Sequence, residues 1–442
     1  MNELEFDAGV EKMLESLLAG RLVLLAGAGL SMAPPSNLPS AWTIAQEAKR
    51  RYDRTHGMTR APLSENVEEQ AEYFFARGEL DAVYFRTLID AHAFAGNPNE
   101  GHIAIADLMF TGAIKSTVTT NVDVLIEAAG QPLFGQIEVG LDGLEVATVP
   151  SGVSPLLKIH GCRQKDSRHM VWARTQITAP PIADRIASSA NWLAVNWLNR
   201  DVLIVGYWTD WDYLNAVLAQ VLDQVQPTRI VVVDTAVGTD LPRKAPALHA
   251  LGEKVQNGFY QVRASGADFL AALRKEFSKT FIRRVIGSGI EAFKAEKFVV
   301  PPAMLTEPPD LENHELWAMR RDLAGCPPNS PASSMEPPNE TTLGLTVLKL
   351  RNAGAVPDGP YWRLNDQRIR VLRTANELLH VVKDVRAREC PPATAPDVVI
   401  AVGADPDGLP ANIARSSSGS SIARGADIRW LTRGEATKEL GL

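Results

Sequence analysis

Three short apolar runs, each ending in small or polar residues, constrain the fold of this chain most strongly. They are LLAGAGLS at 24–31, STVTTNVD at 116–123 and LLKIHG at 156–161. Similar strand-like runs follow at 202–206 and 229–234, separated by stretches with helical spacing such as 184–199 and 212–224. This alternation predicts an α/β fold with a Rossmann-like, doubly wound parallel sheet, whose ligand crevice lies at the carboxyl ends of the strands.

Composition indicates a folded protein in the cytoplasm. The chain has 442 residues, of which 45% are hydrophobic and 22% charged, and its mean hydropathy is −0.08. These values are typical of a globular protein large enough for two domains. No run approaches the roughly 20 apolar residues that span a bilayer. Residues 1–9 are acidic, whereas a secretory signal begins with basic residues.

Charge and cysteine content disfavour two classes of function. The formal net charge of −7 argues against direct, sequence-independent binding of nucleic acid through the overall field of the chain. The three cysteines, Cys162, Cys326 and Cys390, are far apart and form no C-x-x-C pair. They therefore cannot build a tetrathiolate zinc site or a disulfide framework.

The chain is predicted to divide into a large domain, a linker and a small module. Residues 1–298 hold all the motifs, with a helical insertion at about 41–112 that contains three amphipathic stretches. Paired prolines between 299 and 340 favour an extended linker. Residues 341–442 are expected to form a smaller α/β module that serves oligomerisation or partner binding.

The glycine-rich loop is the first candidate ligand site. Gly27, Ala28 and Gly29 follow a strand and would let backbone N–H groups approach a pyrophosphate, while Ser31 adds a hydroxyl. The usual dehydrogenase fingerprint requires glycine where this chain has Met32, which disfavours hydride transfer. A tight turn without any ligand would select the same small residues.

Polar residues at the end of the second run are the next candidates. Thr120, Asn121 and Asp123 would be costly to bury without partners, and a ligand ribose would supply them. Alternatively, Asn121 or Asp123 caps the following helix.

His160 is the candidate general base, because a strand delivers it to the sheet edge and its titration lies near neutrality. A histidine after an apolar strand can also be purely structural. We interpret His102 as structural and His169 as a surface residue.

Together and in this order, the three motifs resemble the NAD pocket of the sirtuin family, over about residues 14–277. That pocket consists of a GAG-x-S loop, a T-x-N-x-D segment and a catalytic His followed by Gly. The resemblance implies that Asn121 orders a water or the ribose near the nicotinamide bond and that Asp123 contacts the ribose. It also implies that His160 orients the ribose or accepts a proton.

A later run resembles the family's strand that contacts the adenosine side of NAD. The resemblance implies that Gly206 permits close approach and that Tyr207 stacks on the ligand. Asp234, at the end of the next strand, is placed to bind a ribose diol. A structural turn explains the residues after Tyr207 nearly as well.

Two departures narrow the resemblance. Cys162 stands alone where deacylating sirtuins carry four zinc-binding cysteines, and 38–42 reads LPSAW where they have P-D-F-R. The chain therefore looks like the zinc-free, sirtuin-like NAD hydrolases of bacterial anti-phage defence. That resemblance implies NAD as the substrate, no zinc, abortive infection through NAD depletion, and a homo-oligomer. It also implies a partner protein, such as a DNA-translocating ATPase or an Argonaute-like protein. The alternatives are an NAD-dependent protein deacylase, a non-enzymatic NAD or ADP-ribose sensor, and an assembly scaffold.

Overall fold

The computed structural model describes the chain in twelve segments. They are residues 1–57, 61–133, 135–206, 211–236, 238–255, 258–300, 307–324, 340–373, 395–402, 414–415, 421–422 and 428–442. These segments form two compact units. The first unit contains 1–109, 113–130 and 137–273, and the second contains 110–112, 131–136 and 274–442.

An eight-stranded sheet, parallel throughout, forms the centre of the first unit. Its strands are β1 (Asn2–Leu4), β2 (Leu22–Ala26), β3 (Thr117–Thr119), β4 (Val139–Gly140), β5 (Leu156–Lys158), β6 (Asp201–Val205), β7 (Arg229–Asp234) and β8 (Phe259–Arg263). The strand order is β1-β8-β7-β6-β2-β3-β5-β4. The predicted Rossmann-like, doubly wound parallel sheet is therefore confirmed.

Strand β2 lies where the order of the strands reverses, since later strands were added on both sides of it. It pairs with β3 on one side and with β6 on the other. All five residues of β2 and all five of β6 are buried, as expected for central parallel strands covered on both faces. Such a reversal opens a crevice at the carboxyl ends of the strands.

Helices connect these strands. They are α1 (Phe6–Leu18), α2 (Gly29–Met32), α3 (Ala41–His56), α4 (Val67–Phe75), a π-helix (Leu80–Leu88), α5 (Glu100–Phe110), α6 (Leu125–Gly130), α7 (Gly143–Ala147), α8 (Ile182–Asn196), α9 (Asp212–Val221), α10 (Leu241–Lys244), α11 (Pro246–Glu253) and α12 (Gly266–Ser288). Short 3-10 helices lie at Ala91–Phe94, Gln131–Leu133, Ser167–His169, Arg174–Thr178 and Gly238–Asp240. No helix in the described segments is long and apolar enough to span a membrane.

The helical insertion after β2 forms an apolar core together with Val122, Met170, Trp172 and Ala173 from later segments. Tyr52, Phe74, Tyr84 and Phe85 pack together there, with the rings of Phe74 and Tyr84 stacked at 5.2 Å between centroids. Helix α4 begins at a sequence-encoded cap, since the Asn66 side chain accepts hydrogen bonds from two N–H groups of its first turn. The predicted insertion is confirmed, and its third amphipathic stretch is a π-helix.

The second unit contains a mixed five-stranded sheet, which confirms the predicted smaller α/β module. Its elements are α13 (Ile290–Ala295), α14 (Asn313–Ala324), α15 (Glu340–Asn352), β9 (Val356–Asp358), β10 (Tyr361–Leu364), β11 (Gln367–Arg373), β12 (Val398–Val402), β13 (Ala414–Arg415), β14 (Ser421–Ile422), β15 (Arg429–Thr432) and α16 (Arg433–Leu440). The sheet order is β15-β12-β11-β10-β9, antiparallel from β9 to β11 and parallel from β11 to β15.

The division of the chain differs from the predicted one. It falls within α12, between Leu273 and Arg274, whereas composition placed the boundary near 298. Helix α14 also lies inside the stretch 299–340 that was predicted to be an extended linker. Leu316, Met319 and Leu323 have helical spacing and are buried in the core of the second unit, a pattern that the surrounding prolines obscured.

Candidate active site

A cavity of about 590 Å³ opens at the carboxyl ends of the central strands. Five of the residues singled out in the sequence line it: Ala28, Gly29, Thr120, Gly206 and Asp234. They follow or end strands β2, β3, β6 and β7, whose parallel alignment brings these positions to one edge. The cavity therefore lies at the reversal point of the sheet.

The two glycine positions at this edge touch each other. The N–H of Gly29 donates to the carbonyl of Gly206 at 2.8 Å, and the N–H of Gly27 donates to the carbonyl of Val205 at 2.9 Å. A Cβ on Gly29 would lie 2.9 Å from the Gly206 carbonyl oxygen. The tight-turn alternative thus explains Gly29, and the N–H groups of Gly27 and Gly29 are bonded to protein carbonyls rather than free for a pyrophosphate.

Ser31 is the centre of a buried hydrogen-bond network. Its hydroxyl donates to Asp123 Oδ2 at 3.0 Å and accepts from Asn121 Nδ2 at 3.1 Å. His102 Nε2 lies 3.2 Å from the same oxygen. One short side chain therefore links all three of these residues.

His102 is a neutral donor in this network. Its Nδ1 accepts a hydrogen bond from the Asn99 backbone N–H at 3.2 Å, which assigns the proton to Nε2 and makes Ser31 the acceptor. Burial lowers the pKa of His102 to about 4, although the nearby Asp123 opposes this shift. The contact of His102 with Ser31 joins it to Asn121 and Asp123, a connection that the sequence did not predict.

Asp123 and Asn121 use most of their hydrogen-bonding atoms within the protein. Asp123 Oδ1 accepts from the N–H of Leu125 at 3.0 Å and so caps α6, which is the alternative left open by the sequence. Asn121 Nδ2 also donates to the carbonyl of Gly27 at 3.2 Å. Asn121 Oδ1 is buried and has no partner among the described residues.

His160 is buried and lies two residues after the end of β5. Its ring bonds to the backbone of Thr120, while Nε2 has no partner among the described residues. Burial lowers the pKa of His160 to about 3, and the hydrogen bond to Thr120 opposes this shift. An imidazole with so low a pKa is a poor proton acceptor at neutral pH, so this environment favours an orienting role over a general base.

Lys158 holds the main chain beneath this site. Its buried ammonium group donates to the backbone carbonyl of Asp123 and lies 2.8 Å from Glu127 Oε1. Lys158 was not predicted from the sequence to belong to the site. The signal was present, because a lysine inside the apolar run LLKIHG must find partners when it is buried.

The predicted residues separate into two layers. Gly27 does not line the cavity. Four further predicted residues do not line it either, because they are buried: Ser31, Asn121, Asp123 and His160. Thr120 connects the layers, since it lines the cavity and its backbone bonds to His160.

Burial raises the pKa of Asp234, whose Oδ1 accepts from the N–H of Ala236 at 2.9 Å. Tyr207 lies outside the described residues.

Two exposed apolar side chains border the cavity and were not selected from the sequence. Trp42 is 69% exposed and Met32 is 50% exposed, and both belong to the lining. Trp42 is the second residue of α3 and does not belong to the core cluster that includes Ile44, Ala45, Ala48 and Tyr52. A large apolar ring left in water beside a cavity is a candidate ligand contact.

Within the described segments, no three His, Cys, Asp or Glu side chains are grouped so as to hold a metal ion. Cys162 is a buried free thiol. Cys326 and Cys390 lie outside the described residues.

Comparisons with known proteins gave structural similarity alone. No family model matches the chain, and no curated protein matches it. A solved Sir2 homologue–NAD complex is 17% identical, with 60% of this chain and 93% of that chain covered and a TM-score of 0.35. An ADP-ribose complex of a mutant Sir2 homologue is 15% identical, with 66% and 99% covered and a TM-score of 0.32. Sir2 bound to an acetylated peptide is 13% identical, with 60% and 98% covered and a TM-score of 0.32.

Proposed function

We propose that this chain hydrolyses NAD at the nicotinamide glycosidic bond and releases nicotinamide and ADP-ribose. The observation that carries the proposal is the arrangement at the carboxyl edge of the sheet. A cavity of about 590 Å³ lies above a network that joins Asn121, Asp123 and His102 through Ser31. The three motifs that resemble the sirtuin NAD pocket supply nearly all of these residues.

The cavity suits a dinucleotide in size and chemistry. Its volume falls within the range of about 300–1,000 Å³ typical of ligand sites. Asp234 offers a carboxylate oxygen for ribose hydroxyls, as in other doubly wound folds. Gly29 and Gly206 line the cavity, so a ligand there contacts main chain as well as side chains.

Hydrolysis requires stabilisation of a positively charged sugar. As the bond between C1′ and nicotinamide breaks, its electron pair goes to the pyridine nitrogen, and nicotinamide leaves as a neutral base. A water oxygen then bonds to C1′, and one proton passes to solvent. The Asp123 carboxylate stabilises the developing charge, Asn121 Oδ1 accepts a hydrogen bond from the water, and His160 Nε2 orients the ribose.

Asn121 Oδ1 and His160 Nε2 are buried, and neither residue lines the cavity, so the site must open before the nicotinamide riboside can reach them. An enzyme that destroys a central cofactor must be inactive for most of its lifetime. A resting state in which these two atoms are covered fits that requirement. We therefore propose further that the chain depletes NAD on phage infection as an abortive-infection effector. Residues 341–442 would contact a second copy or a partner protein, such as a DNA-translocating ATPase or an Argonaute-like protein.

The burial of Asn121 Oδ1 and His160 Nε2 also favours a second candidate, a sensor that binds NAD or ADP-ribose without turnover. The sensor needs only the cavity, whereas the hydrolase also needs access to Asn121 and His160. Incubation with NAD separates the two candidates.

Purified protein given NAD alone should produce equimolar nicotinamide and ADP-ribose, identified by mass spectrometry. Product formation should persist with EDTA, since no zinc is expected to take part. If the purified protein alone forms no product, the assay is repeated with lysate from phage-infected cells. Tight NAD binding without product under both conditions would favour the sensor. Product that appears only with an acyl-lysine peptide would favour the deacylase.

Trp42→Ala should weaken NAD binding about tenfold, because stacking a planar base on an aromatic ring contributes about 1–3 kcal/mol. Trp42→Phe should retain most of the affinity. Leu144→Ala is the control, since Leu144 is 72% exposed and lies outside the cavity lining. Calorimetry with NAD, ADP-ribose and AMP identifies which ring of the ligand stacks on Trp42. A loss of affinity confined to NAD indicates nicotinamide, and a loss of affinity for all three ligands indicates adenine. Equal affinities of the Trp42→Ala and Leu144→Ala variants would contradict the contact.

A further inference from the structure

Two carboxylates on α4 connect the helical insertion to the segments around the site. Glu68 Oε1 accepts a hydrogen bond from the N–H of Tyr213 at 3.0 Å, and the backbone of Asp212 also bonds to this carboxylate. Glu72, one turn further along α4, accepts from the N–H of Thr175 at 3.3 Å and from its hydroxyl. The insertion thus binds two segments far from it in the sequence.

Glu68 caps a helix that belongs to another part of the fold. Tyr213 and Asp212 are the first two residues of α9, and the residue before them, Trp211, has an indole ring that cannot accept a hydrogen bond. Helix N-termini need acceptors for their first N–H groups. Here the acceptor comes from the insertion, 145 positions earlier in the chain.

The capped end of α9 borders both layers of the site. Trp211 and Leu214 line the cavity. Tyr213 is buried, and its ring lies 5.8 Å from the ring of His160 and is stacked on Trp211 at 5.7 Å. The backbone atoms that Glu68 holds therefore set the positions of a cavity wall and of the ring beside His160.

We propose that Glu68 is a positioning residue, through which the helical insertion holds α9, the cavity wall and His160 in the arrangement that the ligand meets. This inference rests on the proposed function for its kinetic consequence. The positional part does not depend on turnover. It makes the insertion a control element of the site, because movement of α4 would release the first turn of α9.

The electrostatics of Glu68 support a role other than stabilising the fold. Burial raises the pKa of Glu68, Asp212 adds to the rise, and the two backbone hydrogen bonds and Arg174 oppose it. Since the pKa is raised in the folded state, ionised Glu68 lowers the stability of the protein above that pKa, and the loss is relieved as the pH falls. Burial raises the pKa of the Tyr213 phenol, and the negative charge of Glu68 adds to the rise.

Three variants of the full chain test the proposal. Glu68→Ala removes the acceptor, Glu68→Gln keeps an acceptor oxygen without the charge, and Glu69→Gln changes an exposed carboxylate on the same helix as the control. In Glu68→Ala, amide hydrogen exchange at Asp212 and Tyr213 should accelerate about tenfold, the approximate worth of a helix cap. ADP-ribose affinity should fall in the same variant. Glu68→Gln should resemble wild type in both measurements and should unfold at an equal or higher temperature at pH 8.

The pH profile separates positioning from a general structural role. In wild type, kcat/KM for NAD should fall as the pH drops through the raised pKa of Glu68, because a protonated carboxyl is a weaker acceptor. Glu68→Gln should lack this fall, because its neutral acceptor does not titrate, and its kcat/KM should stay near the low-pH value of wild type, within about threefold of wild type at pH 7.5. Exchange and ADP-ribose binding in Glu68→Ala equal to those of Glu69→Gln would overturn the proposal. If wild type binds ADP-ribose but shows no turnover, the proposed function fails while exchange and binding still decide the role of Glu68.

Discussion

Asn121→Ala should lower NAD turnover at least roughly 100-fold, because a water that is not held against the ribose loses most of its proximity advantage. Asn121 is suited to this task, since its amide nitrogen is fixed by Gly27 and Ser31 while Oδ1 remains without a partner among the described residues. Nicotinamide release, followed by chromatography under activating conditions, measures the effect. Circular dichroism should show the sheet intact.

His160→Ala should produce a loss of similar size, and the double variant should be little worse than either single one if both residues serve one step. Asn196→Ala, at an exposed position on α8, is the control and should retain full turnover. Near-normal turnover in a well-folded Asn121→Ala protein would remove Asn121 from the mechanism. Strictly additive losses would indicate that the two residues act in separate steps.

Gly206→Ala should destabilise the first unit by about 3 kcal/mol or more and abolish NAD binding. Gly206 has a φ of +61°, which disfavours any side chain, and an added Cβ would lie 2.4 Å from the backbone nitrogen of Leu30. Relief of that clash requires separation of the loops that follow β2 and β6. Both loops contribute residues to the cavity. Denaturant unfolding and calorimetry with ADP-ribose measure the two effects.

Gly78→Ala separates the conformational cost from the steric one. Gly78 has a φ of +69°, but a Cβ there would have no atom within 4 Å. Its replacement should cost about 1 kcal/mol and leave binding unchanged. An equal loss of stability at both positions would show that the contact between the loops does not matter.

The sheet and the location of the site could be predicted because parallel strands impose a simple rule. Residues that follow adjacent strands lie at one edge, so the motifs near Gly29, Thr120 and Gly206 had to converge once the strands were recognised. The division of roles within the site was less accessible. Gly29 fits both a ligand loop and a tight turn, and the sequence alone cannot show that a carbonyl occupies the space beside it.

Other features of the site depend on contacts between distant segments. Glu68 bonds to Tyr213, and Ser31 bonds to Asp123, 92 positions later. Hydrophobic periodicity predicts which face of a helix is buried but not which backbone group a carboxylate on that helix meets. Helix α14 was missed because the proline pairs around it dominated the composition of 299–340.

The direction of the hydrogen bonds around Ser31 determines which ligand groups can bind beside Asn121 and His160. The hydroxyl has a single hydrogen, which Asp123 receives, so His102 and Asn121 must both act as donors to Ser31. The remaining atom of Asn121 is a carbonyl oxygen, and the remaining atom of His160 is an imine nitrogen when its other nitrogen donates to Thr120. Two acceptors without partners among the described residues bind water and sugar hydroxyls and repel phosphate and carboxylate oxygens. A dinucleotide in this crevice would thus keep its diphosphate away from Asn121 Oδ1 and His160 Nε2 and place a group with hydrogen-bond donors, such as a ribose, beside them.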